Sequence, residues 1–130
     1  MSHLVGCSLV EFNIPLYGGV VKMYSEVDEY FEVVSEHGIT KEDLAVCDGM
    51  TTFIPDQEDG FNYIVGIFSK DLDILVHECA HVAIAVADRT GWEITEDTSE
   101  PFCYLIADIF AKSIAVMSQE KAVPPLTILN

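Results

Sequence analysis

The chain has 130 residues, half of them hydrophobic, which is the size of one folded domain. Its net charge of −16 argues against binding to nucleic acid or to an anionic membrane. Its four cysteines lack CxxC spacing, its start lacks a secretory signal, and no apolar run approaches the roughly 18 residues of a membrane span. We expect a single domain over residues 1–130, cytoplasmic and with reduced thiols.

The first part of the chain alternates strand and helix signals. Residues 4–24 predict two strands joined by the turn sequence PLYGG, because apolar and polar residues alternate along them. Residues 25–38 predict a helix that is capped by Ser25 and ended by Gly38. A second start signal predicts a short helical turn over residues 40–46.

The second part of the chain predicts one more strand pair and two helices. Residues 50–68 read as two strands around an acidic turn, and the alternating sets within 61–68 are both largely apolar, which indicates a strand covered on both faces. A long helix follows from about residue 70 to 90, closed by Gly91, and a last helix runs from about 100 to 117 before an extended tail. The predicted order β-β-α-β-β-α-α is an α+β domain with a mainly antiparallel sheet.

The long helix contains the sequence HECAH at residues 77–81. Histidines four residues apart lie on one face of a helix, so the imidazoles of His77 and His81 can address one zinc ion. Glu78 follows one residue further round, where its carboxylate can exchange a proton with water beside the metal. The spacing predicts His77 and His81 as metal ligands and Glu78 as general base.

The surroundings of this motif strengthen the prediction. The helix is apolar almost all round, which is typical of a buried helix. Two histidines and a glutamate in such a helix are costly unless something binds them. The alternative is that these residues are solvated, or are satisfied within an ordinary core.

A catalytic zinc site also needs a third protein ligand and an open position. The helix is expected to run about 15 Å beyond His81, so the chain must return by that distance. Glu100 has enough residues to return and opens the next helix, which makes it the preferred third ligand, with Asp97 and Glu96 in reserve. A charge that favours the helix N-terminus is the alternative role for Glu100.

An HExxH sequence followed some twenty residues later by a glutamate on another helix resembles the gluzincin zinc peptidases. The sequence EPFCYLIADIF also resembles the corresponding helix of ImmA-like zinc peptidases, and small phage-encoded proteins of this outline are similar too. The resemblance covers about residues 72–110. It implies a zincin-like fold with Zn²⁺ held by His77, His81 and Glu100, and with Glu78 as the general base.

The resemblance also implies an upstream strand that aligns a peptide substrate by strand addition, which here would be 61–68. The chain departs from the thermolysin-like pattern at Tyr104, where an aspartate supports a ligand histidine in those enzymes. Asp108, on the same helical face, is a weak candidate for that supporting role. Cys79 and Cys103 are expected to be small buried fillers.

Two functions follow from these observations. The first is a minimal zinc-dependent metallopeptidase, and the acidic charge of the chain favours a basic peptide or protein substrate. The second is a non-enzymatic acidic interaction or inhibitor protein of phage type, in which the zinc site is structural or vestigial. The substrate and the oligomeric state have no signature in the sequence.

Overall fold

The computed structural model describes residues 9–56 and 60–118, and the expected C-terminal tail lies outside them. Four strands and four α-helices make up an α+β fold, and short 3₁₀ segments follow the first and last helices. In chain order the elements are β1 (Val10–Asn13), β2 (Val20–Tyr24), α1 (Val27–Val34), α2 (Lys41–Ala45), β3 (Gly49–Asp56), β4 (Gly60–Ile67), α3 (Leu72–Arg89) and α4 (Ser99–Ser113).

The strands form one mixed sheet in the order β1-β2-β4-β3. The pairs β1–β2 and β3–β4 are antiparallel, as expected of neighbouring strands joined by short turns. The pair β2–β4 is parallel, with Val21 opposite Tyr63 and Met23 opposite Val65. The expected antiparallel character therefore holds within each pair, while the junction between the pairs is parallel because a long crossover separates β2 from β4.

Strand β4 lies inside the sheet, between β2 and β3, and is covered on both faces as its sequence predicts. Tyr63 and Val65 face a core that α3 and α4 complete. Ile64 faces the other side, where it packs with Tyr30 and Val34 of α1. The result is a sheet with α1 on one face and the α3–α4 pair on the other.

The first helix begins slightly later than predicted. Its N-cap residue is Glu26, not Ser25, and Gly38 ends the following 3₁₀ turn with a left-handed φ of 89°. The predicted turn at 40–46 is the short helix α2. Its capping box joins Thr40 and Asp43: the Asp43 amide donates to Thr40 Oγ1, and the Thr40 amide donates to Asp43 Oδ2.

Helix α3 ends as predicted, at a left-handed glycine. Gly91 has φ of 74°, and the Trp92 amide donates to the Ala87 carbonyl over 2.8 Å, which satisfies a carbonyl of the last turn. The expectation that α3 is buried all round is wrong. One face carries exposed residues, because no other described element covers it; these are Leu72, Val76, His77, His81, Ile84 and Asp88.

Helix α4 packs antiparallel against α3. Cys79 and Ser113 are both fully buried and their Sγ and Oγ atoms are 3.3 Å apart, which fixes the level at which the helices meet. Segment Ser99–Ser118 has a mean hydropathy of 1.4 and, by length and composition only, could cross a membrane. A helix that packs on a core passes the same test, and the buried side of α4 belongs to the core shared with α3.

Candidate metal and proton-transfer site

The two histidines of HECAH lie on the exposed face of α3. They are one helical turn apart, their ring centroids are 4.8 Å apart, and their Nε2 atoms are 3.2 Å apart. A hydrogen bond between one protonated and one bare Nε2 gives such a distance. Two nitrogens that bind one metal ion also lie about this close to each other.

The distance between the two histidine nitrogens is close to the distance between two nitrogen ligands of one zinc ion. Two nitrogens at roughly 2.0–2.1 Å from a tetrahedral zinc ion lie 3.3–3.4 Å from each other. The distance between His77 Nε2 and His81 Nε2 is within 0.2 Å of that range at 3.2 Å.

Glu78 is buried, whereas the two histidines are exposed. Its side chain is 5 % exposed and lies under strand β3, where the Thr51 hydroxyl donates a hydrogen bond of 2.5 Å to Oε1. The cost of burial that the sequence assigned to all three polar residues therefore applies to Glu78 alone. Within the described parts of the chain, Thr51 is the hydrogen-bond partner of this carboxylate.

The buried carboxylate affects the acidic groups around it. Burial raises the pKa of the Tyr30 hydroxyl and of the Cys79 thiol, and the negative charge of Glu78 raises both further. Cys47, beside the start of β3, has its pKa raised by burial first and by Glu78 second. The pKa values of these three groups are thus all raised, and burial is the largest cause in each case.

The structure does not bring Glu100 to the histidine pair. Glu100 is exposed in the first turn of α4, whereas the level of the histidines is marked by Cys79 and its contact with Ser113. Thirteen residues separate Glu100 from Ser113, which is about 20 Å along the helix axis. The third ligand expected from the sequence is therefore displaced along α4.

The physical reason is the conformation of the segment between the helices. The prediction required residues 92–99 to return about 15 Å toward His81. Instead the segment folds on itself: Thr98 Oγ1 donates to the Glu93 carbonyl over 2.7 Å and accepts from the Thr95 amide over 2.7 Å. Helix α4 consequently begins beside the end of α3, and its own length makes the return.

The reserve acids are placed no closer. Asp97 and Glu96 are exposed in the same turn. Asp108 forms an ion pair of 3.1 Å with Lys112, one turn further along α4, and not with a ligand histidine. Among residues 9–56 and 60–118, no three His, Cys, Asp or Glu side chains form a group that could hold a metal ion.

A cleft of about 320 Å³ opens next to His81. It lies between α3 and the β3–β4 hairpin, and its lining is mostly apolar; the residues are Phe53, Phe61, His81, Ile84, Ala85, Asp88 and Arg89. The sequence pattern does not predict this cleft, because Phe53 and Phe61 have the spacing of ordinary strand residues. Their stacking across the hairpin, with ring centroids 6.3 Å apart, follows from the pairing of Phe53 with Tyr63 and of Pro55 with Phe61.

Arg89 closes the far end of this cleft. Its guanidinium donates to the Tyr63 hydroxyl over 2.8 Å and to the carbonyls of Tyr17 and Gly18 over 2.9 and 2.8 Å. It also lies over the Phe61 ring, 5.4 Å from the centroid. Arg89 thereby ties the last turn of α3 to the β1–β2 turn and fixes one wall of the cleft.

The segment 61–68, predicted to align a peptide substrate, lies inside the described sheet. Residues 61–68 include β4, whose backbone groups pair with β2 on one side and β3 on the other, so β4 has no free edge. Strand β3 lies at the edge of the described sheet and contacts α3. Strand addition beside the histidines would therefore use β3.

The two cysteines that were predicted to be buried fillers differ from each other. Cys79 is a fully buried filler, as predicted, whereas Cys103 is exposed on α4, so the filler prediction is wrong for it. Trp92 stacks on Tyr17 with ring centroids 5.2 Å apart and contacts Phe102 edge to face at 6.2 Å. It therefore covers the end of α3.

Three comparisons with known proteins found no match to this chain: no protein-family model, no curated protein and no solved structure matches it. The resemblance to zinc peptidases accordingly remains a prediction from the sequence motif.

Proposed function

We propose that this chain is a small zinc-dependent peptidase of zincin type. The observation that carries the proposal is the close approach of His77 Nε2 and His81 Nε2, which are 3.2 Å apart. The residue after His77, Glu78, has a buried carboxylate. Exposed histidines alone would be ordinary surface residues. Burial of a glutamate with one neutral hydrogen-bond partner costs free energy. Such groups are found at functional sites, and proton transfer is the function that we assign to Glu78.

The roles of the three side chains follow from their positions. His77 and His81 would supply two protein ligands to the ion, and among the described residues no further His, Cys, Asp or Glu joins them as the third ligand that a catalytic zinc uses. Zinc, when bound, supplies a Lewis acid that polarises the scissile carbonyl and activates water. Glu78 accepts the proton of the attacking water and returns it to the leaving amine.

The surroundings of the site favour an extended peptide as substrate. The exposed edge of β3 can pair with such a peptide through backbone hydrogen bonds. The cleft beside His81 would then receive one side chain, and its lining by Phe53, Phe61 and Ile84 favours a large apolar one. The net charge of −16 favours basic residues elsewhere in the substrate.

Zinc titration tests the proposal directly. We expect wild type to bind about one Zn²⁺ per chain, His77→Ala to lose most of that affinity, and Glu78→Gln to keep it. Hydrolysis of a quenched-fluorescent peptide library should be lost in both variants. His37→Ala, which removes a histidine that is exposed next to Gly38, is the matched control and should change neither property.

Two results would contradict the proposal in different ways. Absence of zinc binding by wild type would remove the metal site. Zinc binding with hydrolysis unchanged in Glu78→Gln would remove the catalytic role of Glu78 and leave the site as a metal-binding one.

An interaction protein without catalysis is the second candidate function. A specific observation favours it: an open groove of about 610 Å³ lies between the β1–β2 turn and α4, lined in part by Leu16, Tyr17, Tyr104 and Asp108. Leu16 is 96 % exposed and has a positive φ of 71°, which is an unfavourable backbone conformation for leucine. Wild type that binds zinc without hydrolysing any library peptide would support this function.

A further inference from the structure

The guanidinium of Arg89 is held in one orientation at the end of the cleft beside His81. Its Nε donates to the Tyr63 hydroxyl over 2.8 Å, and its Nη2 donates to the carbonyls of Tyr17 and Gly18 over 2.9 and 2.8 Å. A guanidinium has five N–H donors in a planar fork, and these contacts use three of them. The two donors on Nη1 have no hydrogen-bond partner among the described residues. Arg89 is therefore a fixed cation whose Nη1 donors are available to a ligand.

Aromatic rings lie next to this cation. The guanidinium carbon of Arg89 is 5.4 Å from the centroid of the Phe61 ring and 5.9 Å from that of the Tyr63 ring. Rings beside an ion take the place of water, and a hydrogen bond to an ion is stronger where water is excluded. A side chain that is already held in place also loses little conformational freedom when a ligand binds. A carboxylate is an anion that such a guanidinium binds well.

The remaining walls of the cleft suit an apolar side chain. The cleft holds about 320 Å³, and Phe53, Phe61 and Ile84 are among its lining residues. An apolar side chain and a carboxylate are attached to the same Cα atom in the last residue of a peptide. An acidic side chain instead carries its carboxylate at the tip of the group that would enter the cleft. The C-terminal residue of a peptide therefore matches both the apolar walls and the position of Arg89 at the end of the cleft.

The separation between Arg89 and the histidine pair is also short enough for one peptide to reach both. Arg89 follows His81 by eight residues on α3, which corresponds to about 12 Å along the helix axis. An extended peptide advances about 3.3–3.6 Å per residue, so three or four residues span that distance. A peptide whose carboxylate contacts Arg89 can therefore place a backbone carbonyl beside His81.

We propose that the cleft binds the C-terminal residue of a peptide, with its free carboxylate on Arg89 Nη1 and its apolar side chain against Phe53 and Phe61. This inference rests on the proposed peptidase function, because it names peptides with a free C-terminus as the substrate class of that site. Asp88 also lines the cleft, and its negative charge opposes the binding of a carboxylate. Adjacent residues of α3 thus act in opposite directions, which provides two variants with opposite expected effects.

Binding of three fluorescein-labelled peptides to wild type tests the proposal from the ligand side. The first ends in Lys-Lys-Ala-Ala-Phe with a free C-terminus, the second is its C-terminal amide, and the third is an amide that ends in Glu instead of Phe. Fluorescence anisotropy at pH 7 in EDTA measures binding without a metal ion. We expect the free acid to bind about tenfold more tightly than either amide, because the amides lack the charge-assisted hydrogen bond. The net charge of −16 opposes this preference, so the preference would identify a local cation.

Variants of the two adjacent residues test the proposal from the protein side. Arg89→Met should abolish the difference between the acid and the amide of the Phe peptide, whereas Asp88→Asn should increase it about twofold by removing a like charge. Asp28→Asn changes the net charge of the chain equally but lies on α1, on the other face of the sheet, and should leave the ratio unchanged. If Arg89→Met does not fold, as judged by circular dichroism, the wild-type ratio and Asp88→Asn decide.

Four binding results would overturn the inference. These are equal binding of the acid and the amide by wild type, binding of neither peptide, binding of the Glu amide as tightly as the free acid, and an acid preference that Arg89→Met retains. The third result would assign the cleft to an acidic side chain instead of a C-terminus.

Hydrolysis with Zn²⁺ restored distinguishes failure of this inference from failure of the proposed function. We expect kcat/KM of wild type to be about tenfold higher for the free acid than for the amide of the Phe peptide. Hydrolysis of both at equal rates would overturn the assignment of the cleft and leave the peptidase intact. A binding preference for the acid without hydrolysis of either peptide would overturn the peptidase function and leave the cleft as a peptide-binding site.

Discussion

At the scale of single residues, the HECAH sequence divides between two environments. His77 and His81 face solvent, while Glu78 faces the sheet. One step along a helix rotates a side chain by about 100°, so neighbouring residues can have opposite surroundings. Two accessible imidazoles next to a shielded carboxylate follow from that rotation.

The position of Glu100 leads to a prediction about metal affinity. Because Glu100 lies about 20 Å along α4 from the level of the histidines, Glu100→Gln should leave Zn²⁺ affinity within about twofold of wild type. His81→Ala should lower it by at least tenfold, since it removes one of two converging nitrogens. Competition with a chromophoric chelator measures both.

Asp97→Asn is the control for a general effect of removing an acid near the start of α4. A loss of affinity in Glu100→Gln that Asp97→Asn does not share would show that α4 approaches the histidines in the zinc-bound protein. Such a result would restore Glu100 as the third ligand.

The sequence predicted the motif residues better than their surroundings. The spacing of His77 and His81 is local and depends only on helix geometry, so the close approach of their rings was predictable. The partner of Glu78 was not, because Thr51 is 27 residues away and reaches it only through the placement of β3 at the sheet edge. The position of Glu100 was not predictable for a related reason, because side-chain hydrogen bonds of Thr98 shape the segment before α4.

At the scale of elements, the strand and helix signals predicted most of the fold. The strands, the helix ends at Gly38 and Gly91 and the double-sided burial of β4 all follow from local patterns. Strand order does not, because a parallel β2–β4 contact leaves no mark in either strand. The pairing of β2 with β4 places β3 at the edge of the described sheet. It thereby determines where a further strand could be added.

The contact between α1 and the sheet gives a prediction about stability. The Tyr30 hydroxyl is buried, is 2.7 Å from Thr52 Oγ1 and donates to the Ile64 carbonyl over 3.2 Å. Tyr30→Phe should lower the free energy of unfolding by about 1–2 kcal/mol, because it leaves the buried Ile64 carbonyl without this donor. Urea denaturation at pH 7 measures the change.

The difference between wild type and Tyr30→Phe should also depend on pH. Burial raises the pKa of Tyr30 above its ordinary value of 10.0 in the folded chain. The stability that Tyr30 contributes is therefore fully present below pH 10 and is lost as pH rises above it, because the unfolded state then ionises first. Denaturation curves at pH 7 and pH 10.5 should show a smaller difference at the higher pH; an equal difference would contradict burial of this hydroxyl.

At the scale of the whole molecule, charge and cleft act on different steps. The net charge of −16 creates a field that extends beyond any one site and attracts basic partners. The cleft beside His81 is mostly apolar, and its size suits one side chain of a bound peptide. In the proposed peptidase, charge should therefore govern how fast a substrate arrives, and the cleft should govern which bond is presented.

The same charge should oppose folding at low ionic strength. The chain has 22 acidic and 6 basic residues. Within the described ranges, the ion pair Lys41–Asp28 is largely solvent-exposed and contributes little, and Lys112–Asp108 is about 40 % exposed. Repulsion among the remaining carboxylates is weakened by salt, because the Debye length falls from about 30 Å at 0.01 M to less than 10 Å above 0.15 M. We expect Tm to rise by about 5 °C between 0.01 and 0.3 M NaCl, which corresponds to about 1 kcal/mol for a domain of this size.

The control for this effect separates screening from specific ion binding. KCl at equal ionic strength should raise Tm by the same amount, since screening depends on ionic strength and not on the identity of the cation. A rise with only one of the two salts would indicate a bound ion. A Tm that stays constant or falls with both would mean that the acidic side chains are far enough apart in the folded chain for their mutual repulsion not to limit its stability.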